Sequence, residues 1–434
     1  MSNVTVATIT LGCRLNQTET ATICGILRDA GYKIIEYTKN NKDISIIIVN
    51  TCALTYSASQ KSRQTINSVK KNHPKSRLII TGCDLIENNI AEYKKIAEII
   101  VNKNKTENNK YINSENKLSN NKTCQSFFKE NSTGYYPFKT RANIKIQDGC
   151  DSYCPYCIVP YCRGKPRYRE WKNIIAEFKN LIMMSHKEII LTGVNISKYN
   201  YKNKTLPNLI EELCNIGGIF RIRLSSIEFD VKQLREIINL MKNNDKICKF
   251  LHISIQSGTN KILKNMGRNY SIKTFNEFLL DSKKEIPELC FGSDLIVGFP
   301  GETENDFKKC TNFIEKSDIS YLNVFRYSKR NGTPASLYSN QIDNNIINNR
   351  YKIMNSISRK LSEKFLNSNL NNINNILYEK IVDNYAIGFS NNYIKVSSHI
   401  NNNNSDDKKI INNIIKTELI KISGYRKMLG NIII

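Results

Sequence analysis

The chain has 434 residues, with 64 lysines and arginines against 39 aspartates and glutamates, a net charge of +25. That length provides for two or three domains, and the surplus of cations implies an anionic partner, nucleic acid before a membrane surface. No apolar run is long enough to span a bilayer and no secretory leader opens the sequence, so a cytoplasmic protein is expected, with no membrane partner, in which the 13 cysteines serve metal or redox chemistry rather than a disulfide framework.

In chain order, VTVATITLG (4–12) reads as a strand and TETATICGILRDAGY (18–32) as a helix ending at Gly31. ISIIIVNTC (44–52) is a buried strand, SASQKSRQTINSVKK (57–71) a helix, and RLIITGC (77–83) a third strand. Strands alternating with helices predict a parallel sheet with crossovers. Residues 101–122 are Asn-rich, with little to bury, and read as a solvated linker. From about residue 140 six further strands follow: ANIKIQ, KEIILTG, FRIRLSS, KFLHISIQ, CFGSDLIVGFP and YLNVFRYS. A helical segment follows each of the first five, which predicts an open (βα)6 barrel whose site gathers at the strand ends. After about 372 short strands with turns suggest a small β-barrel. The fold class is therefore α/β, with an N-terminal parallel-sheet domain and linker (1–122), the open barrel (136–371) and a small C-terminal β-barrel (372–434).

Two groups of cysteines carry the chemistry. Cys13, Cys52 and Cys83 each stand at the end of one of the first three strands; if those strands are parallel neighbours, the three thiols meet at one sheet edge. The second group lies in DGCDSYCPYCIVPYCRGKPR (148–167), where Cys150, Cys154 and Cys157 are spaced C-x3-C-x2-C and Cys162 follows five residues on. A zinc site wants a second hook or histidines to reach four ligands, and the chain has only 4 His. An iron–sulfur cluster held by three thiolates keeps one iron open for another ligand. Cys162, beyond Pro160, reads as a packing or surface thiol. Cys24, Cys214, Cys248, Cys290 and Cys310 sit in apolar surroundings and read as core residues.

C-x3-C-x2-C after the first strand of a βα series resembles the radical S-adenosylmethionine superfamily. The upstream LGCRLNQTET, VNTCALT and TGC resemble the N-terminal domain of its methylthiotransferases. The resemblance implies two 4Fe-4S clusters. Cys150, Cys154 and Cys157 would hold the catalytic one, which binds S-adenosylmethionine and cleaves it to a 5′-deoxyadenosyl radical. Cys13, Cys52 and Cys83 would hold a second that carries the sulfur to be inserted. Three substrate classes are known to that family: isopentenyladenosine in tRNA, threonylcarbamoyladenosine in tRNA, and an aspartate of a ribosomal protein. GCRLNQTET, NTCALT, KSRQTI and IQDGCDSYCPYCIVPYCRG look most like the threonylcarbamoyladenosine branch. The implied product carries a methylthio group at C2 of the modified adenine next to the anticodon. A non-catalytic metal-cluster module binding nucleic acid is the alternative from another class.

Around the cluster loop the resemblance suggests contacts to S-adenosylmethionine from Tyr156 beside the adenine, Gly193 and Asn195 in LTGVN, Ser225 and Glu228 in RLSSIEFD, Gln256 and Arg268. Loop packing competes for Tyr156, a tight turn for Gly193 and a surface fate for Arg268. Arg163, Lys165, Arg167 and Arg169 follow the ligands and are expected to meet the phosphates of a tRNA anticodon stem-loop, a merely solvated basic loop being the competing reading. The terminal β unit resembles the small RNA-binding TRAM barrel of the family. An electron donor and a sulfur source are implied partners, and a monomer is expected. In GFPGETENDF, Thr303 and Asp306 are expected only to cap the next helix.

Overall fold

The computed structural model describes residues 4–41, 43–85, 87–99, 127–130, 133–136, 139–400 and 410–433. The expected linker at 101–122 lies outside them. Strands β1 (Thr5–Thr10), β2 (Lys33–Ile35), β3 (Ile46–Thr51), β4 (Arg77–Gly82) and β5 (Glu98–Ile99) form a parallel sheet in the order β2-β1-β3-β4-β5. The apolar run of β3 is buried on both faces, as a strand covered by helices on both sides requires. Its side chains divide by parity. Ile46 and Ile48 pack with Ile23 and Leu27 of helix α1 (Arg14–Asp29), whereas Ile47 and Val49 pack with Ile66 and Val69 of α2 (Tyr56–Asn72).

Helix α1 begins at Arg14, one turn earlier than the apolar pattern implies. The reason is polar. The Asn16 Nδ2 donates to the carbonyls of Leu11 and Thr51, both at 2.8 Å, and Asn50 Nδ2 donates back to the Asn16 carbonyl at 2.9 Å. These residues look like loop in sequence because they tie the first turn of α1 to the ends of β1 and β3.

The six later strands are present as Arg141–Lys145, Glu188–Thr192, Arg221–Leu224 continuing in Ser226–Ile227, Phe250–Ile253, Cys290–Val297 and Tyr321–Arg326. They form two parallel sheets rather than one. The third strand pairs with the second through Leu224, breaks at Ser225 and then pairs with the fourth through Ser226. One core fills the arc, and helix Val231–Asn243 shows how the sequence builds it: Leu234, Ile237, Ile238 and Met241 recur at helical spacing and are buried. Thr303 and Asp306 form the expected capping box.

The C-terminal strands Ile373–Val382, Tyr385–Ser390, Lys395–His399, Ile414–Gly424 and Lys427–Ile432 close into a barrel. Arginines of the (βα)6 domain hold it. Arg221 donates to the carbonyls of Asn375 and Phe389, and Arg223 to those of Ser390 and Asn391, while both guanidiniums pair with the fully buried Glu188. The α/β class stands as expected, with an N-terminal parallel sheet, a central (βα)6 unit and a closed C-terminal barrel. No helix among the described residues is long and apolar enough to cross a membrane.

Candidate functional site

The C-terminal ends of β1, β3 and β4 lie side by side because the strands are parallel neighbours. Cys13, Cys52 and Cys83 are the residues just beyond those ends. Backbone hydrogen bonds from Leu11 N–H to Asn50 O and from Cys83 N–H to Thr51 O keep the three exits together. Gly12 lets the first exit approach the second: its φ is +91°, and a Cβ there would stand 2.7 Å from the Cys52 Sγ. The three thiols line a cavity of about 550 Å³, at the meeting point of the N-terminal domain, the (βα)6 domain and the C-terminal barrel.

Cys150, Cys154 and Cys157 line a second space of about 300 Å³, at the strand ends of the (βα)6 domain. Leu54, Ile158, Val159, Val194, Ser226 and Asp294 belong to both walls, so the two cavities adjoin. Five of the expected cofactor contacts line the smaller one: Tyr156, Asn195, Glu228, Gln256 and Arg268. Gly193 and Ser225 do not; they line the larger cavity. Arg268 is not a lone guanidinium awaiting a ligand carboxylate. It pairs with Glu228 and donates to the Tyr156 hydroxyl at 2.7 Å. Glu228 also accepts from Asn195 Nδ2. Tyr156, Arg268, Glu228 and Asn195 are thus one network, and Arg268 Nε is buried within it without a partner.

Each triad brings three thiols to the wall of one cavity, the number of protein ligands that leaves one iron of a four-iron cluster open. Burial pushes the Cys52 thiol up to about 11 and the Cys157 thiol up to about 12. A thiolate at either position therefore needs strong positive charge beside it, which bound iron supplies. Cys162 lies between the groups. It is half-buried, lines the larger cavity, and burial with the nearby Cys83 holds its thiol up at about 12.

The basic run after the ligands needs correction. Arg163 and Arg169 are not phosphate contacts, because each side chain is at most 5% exposed and already paired. Arg163 pairs with Glu19 of α1 and with Asp148, and donates to Asn16 Oδ1, so it fastens the cluster loop to the N-terminal domain. Arg169 is locked to Glu177 and Asn173 inside its own domain. Arg167 is a third exposed and pairs with Asp148, and Lys165 alone of the four is exposed.

Several site residues carried no signal in the sequence. His252 Nε2 lies 2.9 Å from Asp294, which also accepts from Ser254 and Asn323. Arg14, Tyr393 and Arg426 line the larger cavity from two other domains. Arg14 directly follows Cys13, a proximity visible in the motif, but Tyr393 and Arg426 reach the site only through tertiary folding.

Comparison with known proteins gives the family. Residues 144–314 match the radical SAM superfamily and residues 5–103 the uncharacterized protein family UPF0004. The chain is 34% identical to the threonylcarbamoyladenosine tRNA methylthiotransferase MtaB of Bacillus subtilis, over 97% of this chain and 94% of that protein. It is 32% identical to the tRNA-2-methylthio-N(6)-dimethylallyladenosine synthase of Natranaerobius thermophilus, covering 87% and 86%. It is also 32% identical to the ribosomal protein uS12 methylthiotransferase RimO of Clostridium novyi, covering 89% of each chain. In fold it is similar to the radical S-adenosylmethionine methyltransferase TsrM of Kitasatospora setae, with a TM-score of 0.55, 12% identity, and 78% and 77% of the two chains covered. Two thiol triads on adjoining cavities, in domains that both match and in a chain matched nearly end to end, place this protein in the radical S-adenosylmethionine methylthiotransferase family.

Proposed function

We propose that this methylthiotransferase acts on tRNA, placing a methylthio group on C2 of N6-threonylcarbamoyladenosine beside the anticodon. The observation that carries the reading is the shared wall: thiols suited to two 4Fe-4S clusters open on cavities separated by Leu54, Ile158, Val159 and Val194. When bound, the clusters and S-adenosylmethionine supply the electron, the hydrogen-abstracting radical, the methyl group and the sulfur.

The chain's residues do the positioning. Cys150, Cys154 and Cys157 hold one cluster and Cys13, Cys52 and Cys83 the other. Glu228, fixed between Arg268 and Asn195, presents a carboxylate to amino or hydroxyl groups of S-adenosylmethionine, with Tyr156 and Gln256 in the same wall. Lys165 and Arg167, with the general cationic surplus, meet the tRNA phosphates.

The relatives support tRNA twice, but dimethylallyladenosine and uS12 enzymes are similar at 32% identity, so the substrate needs its own test. Anaerobically reconstituted protein should be incubated with tRNA carrying threonylcarbamoyladenosine, tRNA carrying isopentenyladenosine, and ribosomal protein uS12. Mass spectrometry should find the methylthio product on the first. A product only on the isopentenyl tRNA or only on uS12 would overturn the substrate and leave the chemistry standing.

A further inference from the structure

The larger cavity has a cationic end that the reading above does not use. Arg14 and Arg426, the latter in the turn between strands Ile414–Gly424 and Lys427–Ile432, line it together with the thiols of Cys13, Cys52 and Cys83. Arg14 Nη2 donates to the Tyr393 hydroxyl at 2.7 Å. The two guanidinium carbons lie 5.7 and 5.3 Å from the centre of the Tyr393 ring, and Arg426 also lies over Tyr321 at 3.4 Å. The turn is anchored, since the Arg426 N–H donates to Ser362 Oγ at 3.1 Å. Arg141, Arg163, Arg169, Arg221 and Arg223 all have carboxylate partners. Among the described residues neither Arg14 nor Arg426 has one within 4.0 Å. The field is felt at Tyr393: burial would raise its phenol, but Arg14, Arg141, Arg223 and Arg426 outweigh that and hold it below its ordinary value. Asp294, which also lines this cavity, is already engaged by His252, Ser254 and Asn323.

We infer that Arg14 and Arg426 form a carboxylate-recognition site for an amino-acid substituent on the target adenine, the free carboxylate of the threonylcarbamoyl group. The inference rests on the tRNA reading above and supplies a physical basis for its substrate. Guanidiniums match a carboxylate through paired N–H donors. Placement supports this source of the anion. In adenine, C2 and the carbon bearing N6 both flank N1, so a ring presenting C2 to the thiols of Cys13, Cys52 and Cys83 directs its N6 substituent along the same edge. Arg14, next to Cys13, stands on that path. A backbone phosphate lies on the sugar side, away from that edge. An isopentenyl group would set hydrocarbon against the two guanidiniums and offer them no acceptor, at a desolvation cost that a carboxylate would offset.

The test compares two anticodon stem-loop RNAs on the cluster-loaded protein: one with the threonylcarbamoyl carboxylate free, the other with it as the primary amide. Anisotropy gives both affinities at fixed salt, and mass spectrometry gives both product yields. The acid should bind about ten- to a hundredfold tighter than the amide, the range for hydrogen bonds to charged groups. The double variant Arg14→Gln/Arg426→Gln should bring that ratio close to one, and Arg14→Lys should retain part of it. Each ratio is taken within one protein, so partial misfolding cancels. If the double variant weakens both RNAs alike and leaves the ratio unchanged, the guanidiniums hold phosphate and the inference fails. If wild-type protein converts acid and amide equally, the inference fails while the tRNA reading stands. Product from an isopentenyl RNA alone would remove both.

Discussion

Arg163, in sequence one of four cations trailing a cluster loop, is in the folded chain a buried clasp. Its guanidinium reaches Glu19 and Asn16 of α1 and Asp148 of the barrel loop. Those contacts hold the edge carrying Cys13, Cys52 and Cys83 against the loop carrying the other triad. Removing one member of a buried ion pair leaves the others charged and unpaired, which costs about 3–5 kcal/mol. Arg163→Ala should therefore lower the thermal midpoint markedly in calorimetry. Lys165→Ala should leave stability within about 0.5 kcal/mol, as exposed positions do. It should instead weaken tRNA binding and reduce the salt slope by about one. Unchanged stability in Arg163→Ala would show that the clasp is not formed.

Strands and helices were legible wherever the apolar pattern had one period. β3 reads as buried because IIIV fills both faces, and Val231–Asn243 reads as a helix from its 3-4 spacing. The first turn of α1 was hidden because Asn16 satisfies strand ends rather than a core. The break at Ser225 was hidden because only a one-residue slip of the alternation, at Ser225 and Ser226, marks it, with no Gly or Pro beside it. The gathering of six cysteines into two triads was legible from spacing and strand ends, whereas Tyr393 and Arg426 lie far from them in sequence. The arginines of the third strand show how pattern can mislead: in Arg221–Leu224 they are buried, facing Glu188 of the neighbouring second strand. Burial alone would raise the Glu188 carboxyl, but Arg223, Arg221 and Arg141 outweigh it and hold it well below its ordinary 4.5. The unfolded chain then binds the proton more readily, so stability rises with pH across that interval. The contribution is complete above the ordinary value and is lost as pH falls through the folded one. Thermal unfolding followed from about pH 6 to pH 3 should show a flatter dependence for Glu188→Gln than for the wild type; equal slopes would contradict the assignment.

As a whole, the molecule is three domains converging on one pair of cavities. The N-terminal sheet brings three thiols to an edge, the (βα)6 domain brings three more to its strand ends, and the C-terminal barrel closes the larger cavity with Tyr393 and Arg426. Arg163 on one side, and Arg221 with Arg223 on the other, fix the domains to each other. This architecture separates two tasks in space while keeping their products within reach, and the separation is the central claim. It is tested by comparing two triple variants after anaerobic reconstitution, each assayed for reductive cleavage of S-adenosylmethionine and for methylthiolated tRNA. Cys150→Ala/Cys154→Ala/Cys157→Ala should lose cleavage and product, whereas Cys13→Ala/Cys52→Ala/Cys83→Ala should keep cleavage and make no product; normal cleavage in both, or product from either, would contradict the account.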